Sequence, residues 1–263
     1  MIVVKAGGRA LEANMRKILD SIAKRSKMGI IFVHGGGDVV SRYSEAMGIQ
    51  PRIVVSPSGI RSRLTYEKEM EVYNMVMSGK IGKEISAYLN HVGARAISLS
   101  GVDASIISAQ RKKKIIVVDD RNRKRVVDGG YTGSITGVNT EPLIKLLELG
   151  HIVILSPVAL GSEGELLNVD GDSAASAVAA ALKADALVLL TDVEGVLVDG
   201  QLVRGISSSE AEAMLERVGP GMNRKLMAAA KAVGSGVGKA VICSGLTEDP
   251  LSAIESGEGT VVN

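Results

Sequence analysis

"IVVKAGGRALEANMRKILDSIAKRSKMGIIFVHGGGD", residues Ile2–Asp38, decides how the rest of the chain is read. It opens on "IVVK" (Ile2–Lys5), a β-branched run without polar alternation, which reads as a strand buried on both faces. Two glycines follow. Then comes "LEANMRKILDSIAKRS", with apolar residues at helical spacing, and a second apolar run, "GIIFV" (Gly29–Val33). Strand, glycine turn, helix and strand form the unit of a parallel sheet covered by helices. Lys5 ends the first strand, and Gly7 and Gly8 follow almost at once. An ammonium and several backbone N–H groups are therefore expected at the carboxyl end of a central strand, where α/β folds bind ligands. The arrangement suits a phosphate. The bland reading is a lysine reaching solvent from a strand end.

"HGGGD" (His34–Asp38) is a second glycine loop after a second strand. Gly35, Gly36 and Gly37 let backbone donors approach an anion with no Cβ in the way. The loop is not a GxGxxG fingerprint, because Val40 stands where the last glycine belongs. It is similar to the oxyanion loop of esterases, but the chain has no G-x-S-x-G elbow. "GSGVGKA" (Gly234–Ala240) fails as a P-loop: Val233 replaces the first glycine, and Ala240 stands where Ser or Thr would hold magnesium.

Outward from this start, the alternation continues. A helical region is expected over about Tyr66 to Asn90, with strands at Ala96–Ser100 and Ile152–Pro157 and an Ala-rich helix over Asp172–Ala184. "ALVLLTDVEGV" reads as strand then loop, and "VLVDGQLV" as a hairpin with an Asp-Gly turn. Two more helices and "KAVICSG" close the sheet. A soft boundary near residue 160 suggests two halves, 1–160 and 161–263. The expectation is an α/β fold with a central, mostly parallel sheet.

Composition narrows the function. Aromatic residues are 2% of the chain and Trp is absent, which argues against a base-stacking platform for nucleic acid. Cys243 is the only cysteine, so an intrachain disulfide is impossible and a structural zinc cluster is not expected. No apolar run approaches the ~20 residues of a membrane helix, and no signal peptide precedes the first strand, so the expected compartment is cytoplasmic.

Two further runs carry chemistry. "LLNVDGDSAA" (Leu166–Ala175) places Asn168, Asp170 and Asp172 before the Ala-rich helix. Asp170 reads as a turn and N-cap residue; Asp172, at the start of the Ala-rich helix, also reads as a capping carboxylate and is a candidate to orient nearby lysines. "GPGMNRKLMAAA" (Gly219–Ala230) sets Lys225 in the first turns of a helix, against the dipole, so an anionic ligand or Asp172 is expected near it. His34, His91 and His151 have no partners at metal-ligand spacing and read as structural.

One segment stands apart. "RKKKIIVVDDRNRKR" (Arg111–Arg125) has eight basic and two acidic residues, a local charge of +6 in a chain of +2, which leaves −4 for the remainder. The stretch from Ser105 to Val127 reads as β-hairpin structure with Asp119–Asn122 as the turn. It is either a solvated hairpin or a docking surface for an acidic partner.

Taken in order, "VKAGG", "VHGGGD", "GIRSRLT", "LLNVDGDSAA", "LLTDVEGV" and "GPGMNRKL" resemble the amino acid kinase superfamily, acetylglutamate kinase branch, along essentially the whole chain. The resemblance implies a three-layer αβα sandwich in which an N-terminal lobe (1–160) binds the acyl substrate and mediates dimerisation, and a C-terminal lobe (161–263) binds ATP. It implies phosphorylation of a side-chain carboxylate. Lys5 and Lys225 would stabilise the transferring phosphoryl group, and Asp172 would hold both. Gly7, Gly8 and Gly35 would cradle phosphate. Gly36, Gly37, Asn168 and an arginine would grip the substrate. Thr191, Asp192 and Gly195 would line the adenosine site. Mg2+ would arrive with ATP, so no metal-ligand cluster is needed.

Within that branch, "SGIRSRLT" (Ser58–Thr65) departs from the "GLRVT" type and is similar to kinases that act on the acidic carrier protein LysW, loaded with aminoadipate or glutamate. Alignment from Thr65 makes Arg63 the first choice as substrate clamp and Arg61 the second. The basic hairpin, through Lys112, Lys113, Lys114, Arg121, Arg123, Lys124 and Arg125, would then dock the carrier. The chain starts at its first strand, without the helix that arginine-inhibited relatives use for hexamer assembly, so the resemblance implies a homodimer. The competing expectations are a kinase of free N-acetylglutamate and a non-catalytic amino-acid-sensing module of the same fold.

Overall fold

The Ile2–Ala6 strand lies inside an eight-stranded sheet, and every one of its residues is buried. The computed structural model describes residues 1–263, except for the side chain of Glu212. Across the sheet the order is Gly205–Ile206, Thr260–Val262, Ala240–Ser244, Ala186–Thr191, Ile2–Ala6, Ile30–His34, Ile152–Ser156 and Ala96–Ser100. All neighbours run parallel except Ala240–Ser244 and Thr260–Val262.

A strand buried on both faces sends alternate side chains into two cores. Val3 packs with the Gly171–Leu182 and Met222–Gly234 helices on one side, while Ile2 and Val4 pack with the Gly8–Lys24 and Gly82–His91 helices on the other. Three layers result, αβα, as the sequence pattern and the resemblance together lead one to expect. The alanines of Gly171–Leu182 let the Met222–Gly234 helix approach closely enough for the Ser176 hydroxyl to donate to the Ala228 carbonyl at 2.9 Å. No helix among the described residues is long and apolar enough to cross a membrane.

The region Tyr66–Asn90 is helical but not uniform. Glu67–Asn74 and Gly82–His91 are α-helical, and Met75–Ile81 between them widens to a π-helix. Wide turns of this kind recur at functional sites. Here the turn lies over Gly36, where a Cβ would come within 2.2 Å of Ile81 Cδ1 and 2.9 Å of Met77 Sδ.

The stretch Ser105–Val127 differs from its reading as one hairpin. Lys114–Val118 and Lys124–Asp128 do pair, with Asn122 N–H donating to the Asp119 carbonyl in the expected turn. Ile107–Arg111, however, pairs with Gly133–Val138 and Val158–Gly161 in a different sheet. The chain crosses between sheets at Lys112, whose N–H donates to the Thr132 carbonyl, and the Arg111 guanidinium lies 4.2 Å over the Tyr131 ring. Two apolar runs close in sequence look like hairpin partners, and only these long-range bonds part them. The hairpin joins Arg61–Arg63 and Ile53–Val55 in a four-stranded sheet, and neither of those strands was anticipated. The Asp-Gly hairpin forms as expected: Asp199 and Gly200 have φ of 51° and 79°, the turn that matches strand twist.

The two glycine loops leave adjacent parallel strands at the same end of the sheet, and each opens a helix, at Gly8 and at Gly37. Helix N-termini carry free N–H groups and positive dipole ends, so both loops offer anion-binding donors to one place. The loops touch through their backbones: a Cβ on Gly35 would lie 2.8 Å from the Gly8 nitrogen.

Candidate active site

Lys5, at the end of the central strand, meets Asp172 in the first turn of the Gly171–Leu182 helix, Nζ to carboxylate oxygen 2.7 Å. Lys225, in the first turn of the Met222–Gly234 helix, reaches both oxygens of the same carboxylate at 3.2 Å. Lys5 and Asp172 are buried, and the Lys225 side chain is 12% exposed. Gly7 faces the pair: a Cβ there would lie 3.7 Å from Lys5 Nζ and 3.9 Å from Lys225 Nζ. Asp170, as read from sequence, is the N-cap and accepts from Ser173 N–H at 2.8 Å. That leaves Asp172 free to point inward at the lysines.

One carboxylate cannot satisfy two buried ammoniums equally. Burial works against the charge of Lys5, but Asp172, with Asp170 behind it, raises its pKa above the ordinary lysine value. Burial, joined by repulsion from Lys5, pushes Lys225 down to about 8. Burial alone would raise Asp172, yet the two lysines hold it well below the usual carboxylate range. Asp172 is thus a fixed anion, not a group poised to take a proton.

Two clefts meet at Lys5, and Lys225 and Asp172 line the second of them. The first, of about 380 Å³, is lined by Gly35, Gly36, Gly37, Arg63, Met77 and Asn168, with Lys112 at its edge. The second, of about 560 Å³, is lined by Thr191, Asp192, Val193, Pro220, Gly221 and Met222. Lys5 and Arg224 line both. A smaller recess of about 260 Å³ brings Gly7, Gly8, Thr191 and Asp192 to Lys225.

The structure separates the two candidate arginines. Arg63 enters the first cleft, where its guanidinium pairs with buried Glu69 at 2.6 Å and donates to the Gly37 carbonyl at 2.8 Å. Arg61 lines the second cleft instead. Asn168 donates to the Thr65 hydroxyl at 2.8 Å. Gly195 lines none of these clefts; a Cβ there would come within 2.8 Å of Leu202 and Thr260, so packing accounts for the glycine. His34 is buried, and burial lowers its pKa to about 4, so it is neutral beside the Gly35 carbonyl. Arg224 and Arg9 were not singled out from sequence. Arg9 pairs with Asp192 at 3.0 Å across the second cleft, and Arg224 pairs with Asp170. Both lie next to residues that were singled out, Gly8 and Lys225, and that adjacency was the available signal.

The sequence pattern of the amino acid kinase family matches residues 1–244. The chain belongs to the amino acid kinase family. It is 49% identical to the [LysW]-aminoadipate/[LysW]-glutamate kinase of Sulfolobus acidocaldarius, over 100% of both chains. It is 48% identical to the protein of the same name from Sulfurisphaera tokodaii, again over 100% of both. Among solved structures, smu.665 from Streptococcus mutans superposes with a TM-score of 0.81 at 27% identity, covering 100% of this chain and 98% of that one. The carbamate kinase of Giardia lamblia bound to AMP-PNP shares the fold, with a TM-score of 0.70 at 18% identity, covering 99% and 97%.

For an amino acid kinase, the depressed pKa of Lys225 carries a pH dependence. The ammonium is present below about 8 and lost above it. The kcat/KM of the free enzyme is expected to fall on the alkaline side of that value. The limb in kcat should sit at higher pH, because bound phosphates favour the charged form. Stability runs the other way. The folded pKa lies below the unfolded one, so deprotonation relieves the fold as pH rises from about 8 toward the ordinary lysine value. A pH–rate profile alongside thermal melts checks both signs.

The basic hairpin is less uniformly charged than its sequence. Asp119 accepts from the guanidinium groups of Arg123 at 3.0 Å and Arg125 at 3.1 Å. Lys112, Lys113, Lys114, Arg121 and Lys124 are exposed and have no ion-pair partner among the described residues.

Proposed function

We propose that this amino acid kinase transfers the γ-phosphoryl group of ATP to the side-chain carboxylate of aminoadipate or glutamate carried on an acidic LysW-type protein, forming an acyl phosphate. The observation that carries the reading is the Lys5–Asp172–Lys225 set on the second cleft, joined through Lys5 to the first cleft, which Lys112 of the basic hairpin also lines. The relatives at 46–49% identity that bear the corresponding name agree with it.

The chemistry follows from the groups present. The acceptor is a carboxylate, already ionised at neutral pH, so the reaction needs no general base. Asp172, locked by two lysines, is not one. An oxygen of the substrate carboxylate bonds to the γ-phosphorus while the bond to the β-phosphate oxygen breaks and ADP leaves. Negative charge grows on the oxygens between the clefts. Lys5 and Lys225 donate to them, together with the N–H groups of the Gly7–Gly8 and Gly35–Gly37 loops. In this reading Arg63 and Asn168 hold the acyl substrate in the N-terminal lobe, and Thr191 and Asp192 hold the nucleotide in the C-terminal lobe. Mg2+ comes with the nucleotide's phosphates, since the nearest carboxylate is committed to the lysines. The same reading includes a cytoplasmic homodimer, and a place in lysine and arginine biosynthesis.

Arg123 and Arg125 are held by Asp119, so carrier docking falls mainly to Lys112, Lys113, Lys114, Arg121 and Lys124. A hydroxylamine trap for acyl phosphate, with Mg-ATP and either loaded carrier or free N-acetylglutamate, tests the assignment. Turnover is expected only with loaded carrier. It should weaken as salt rises, and weaken further when Lys113, Lys114 and Lys124 are all replaced by Glu. Equal or better turnover of free N-acetylglutamate would assign the enzyme to the small molecule and leave the hairpin as a solvated loop.

A further inference from the structure

Arg224 precedes Lys225 on the Met222–Gly234 helix and lines both clefts. Its guanidinium is shared among three partners on two other elements. It pairs with the Asp170 carboxylate and donates to the Arg61 carbonyl and, at 3.1 Å, to the Ser62 hydroxyl. Asp170 caps the helix that carries Asp172, and Ser62 lies beside Arg63, whose guanidinium enters the first cleft. One planar fork thus ties the Lys225 helix, the Asp172 helix and the Arg61–Arg63 strand. The Arg224 side chain is only 19% exposed, so this is not a loose surface pair. The strand it grips is three residues long, an edge of its sheet, paired only with Ile53–Val55. Few bonds hold such a strand, so what engages it can move it.

We infer that Arg224 is a positioning residue that couples the filling of the acyl cleft to the placement of Lys225. A substrate held by Arg63 fixes the Arg61–Arg63 strand. Through the Arg61 carbonyl and the Ser62 hydroxyl, the strand then fixes Arg224, and with it the first turn that bears Lys225. The inference deepens the function proposed above and rests on it. A lysine at 224 keeps the charge and the Asp170 pair but cannot span three acceptors, because an ammonium lacks the planar fork.

The test compares wild type, Arg224→Lys and Ser62→Ala with loaded carrier and Mg-ATP. Arg224→Lys is expected to lower kcat about tenfold to a hundredfold, the range for a reacting group held slightly out of place. KM for ATP should stay within about twofold, as a positioning role leaves nucleotide binding alone. The alkaline limb of kcat/KM should move toward the ordinary lysine value, since a Lys225 no longer held beside Lys5 and Asp172 is better solvated. Ser62→Ala should shift kcat and limb the same way by less, and the double variant should be no worse than Arg224→Lys alone. If Arg224→Lys fails to fold, Ser62→Ala carries the test by the same two readouts. An unchanged kcat and limb in the folded variants would reduce Arg224 to a structural tie and overturn the inference. So would a raised KM for ATP at unchanged kcat. Wild type inactive on loaded carrier but active on a free acylated amino acid would instead refute the substrate reading, and the same comparison would then be run on that substrate.

Discussion

Replacing Lys225 by Met is expected to lower kcat by about 10²–10³-fold, the usual loss when one preorganised donor to a developing anion is removed. KM for ATP and for the acyl substrate should change little, because the contact strengthens only as charge builds on the transferring phosphoryl group. The structure supports that partition. Lys225 makes its bonds to Asp172 at 3.2 Å and lines the second cleft and the small recess beside Gly7 and Gly8, on the side where the phosphoryl group is expected. The fold should survive, since Met keeps the aliphatic bulk and Asp172 retains Lys5 at 2.7 Å. Steady-state kinetics with each substrate varied check the prediction. A large rise in KM at constant kcat would mean that Lys225 serves binding and not the transition state.

Asp172→Asn should do more damage, and of two kinds. The side chain is nearly isosteric, so packing is preserved and only the charge is lost. What remains is two largely buried ammoniums without their shared carboxylate, with only the more distant Asp170 opposing Lys5. Removing one partner of a buried ion pair costs about 3–5 kcal/mol. For a chain of this length each kcal/mol moves Tm by roughly 2–4 °C, so the melt should fall by on the order of 10 °C. Part of that cost is relieved if Lys225, already depressed to about 8, sheds its proton. The variant would then have one cation where the reaction uses two, and kcat at neutral pH should fall on the order of 10³-fold, at least as far as with Lys225→Met. Combining the two substitutions should give much less than the product of the single losses, because both act on one unit. A variant that melts with wild type would show that solvent, not Asp172, balances the lysines.

Much of the site was legible in the sequence because its parts sit at positions that local rules mark. Lys5 ends a strand, the glycines follow strands, Asp172 and Lys225 open helices, and each placement implies a direction. Asp170 and Asp172 both read as helix-start carboxylates, and only the fold makes Asp170 the N-cap and turns Asp172 toward the lysines. What was not legible depends on pairs far apart in sequence. Ile107–Arg111 and Lys114–Val118 look like neighbours, yet they belong to different sheets. Arg61 and Arg63 have the same chemistry two residues apart, but Glu69 and the Gly37 carbonyl draw only Arg63 into the first cleft. Arg123 and Arg125 read as free docking charges until Asp119 is seen between them.

The resemblance to amino acid kinases grouped Lys5, Lys225 and Asp172 into one set, while the sequence by itself determined the parallel α/β order, the ligand end of the sheet and the strand-end and helix-start positions of those residues. These follow from runs of a few residues whose burial, turns and caps are local matters. Only the tertiary structure decided which arginine faces which cleft, how much of the hairpin's charge is free, and that Arg224 joins three elements. Those outcomes depend on contacts such as Arg224 with Ser62, separated by 162 residues, which local spacing cannot encode because chain folding alone brings the groups together.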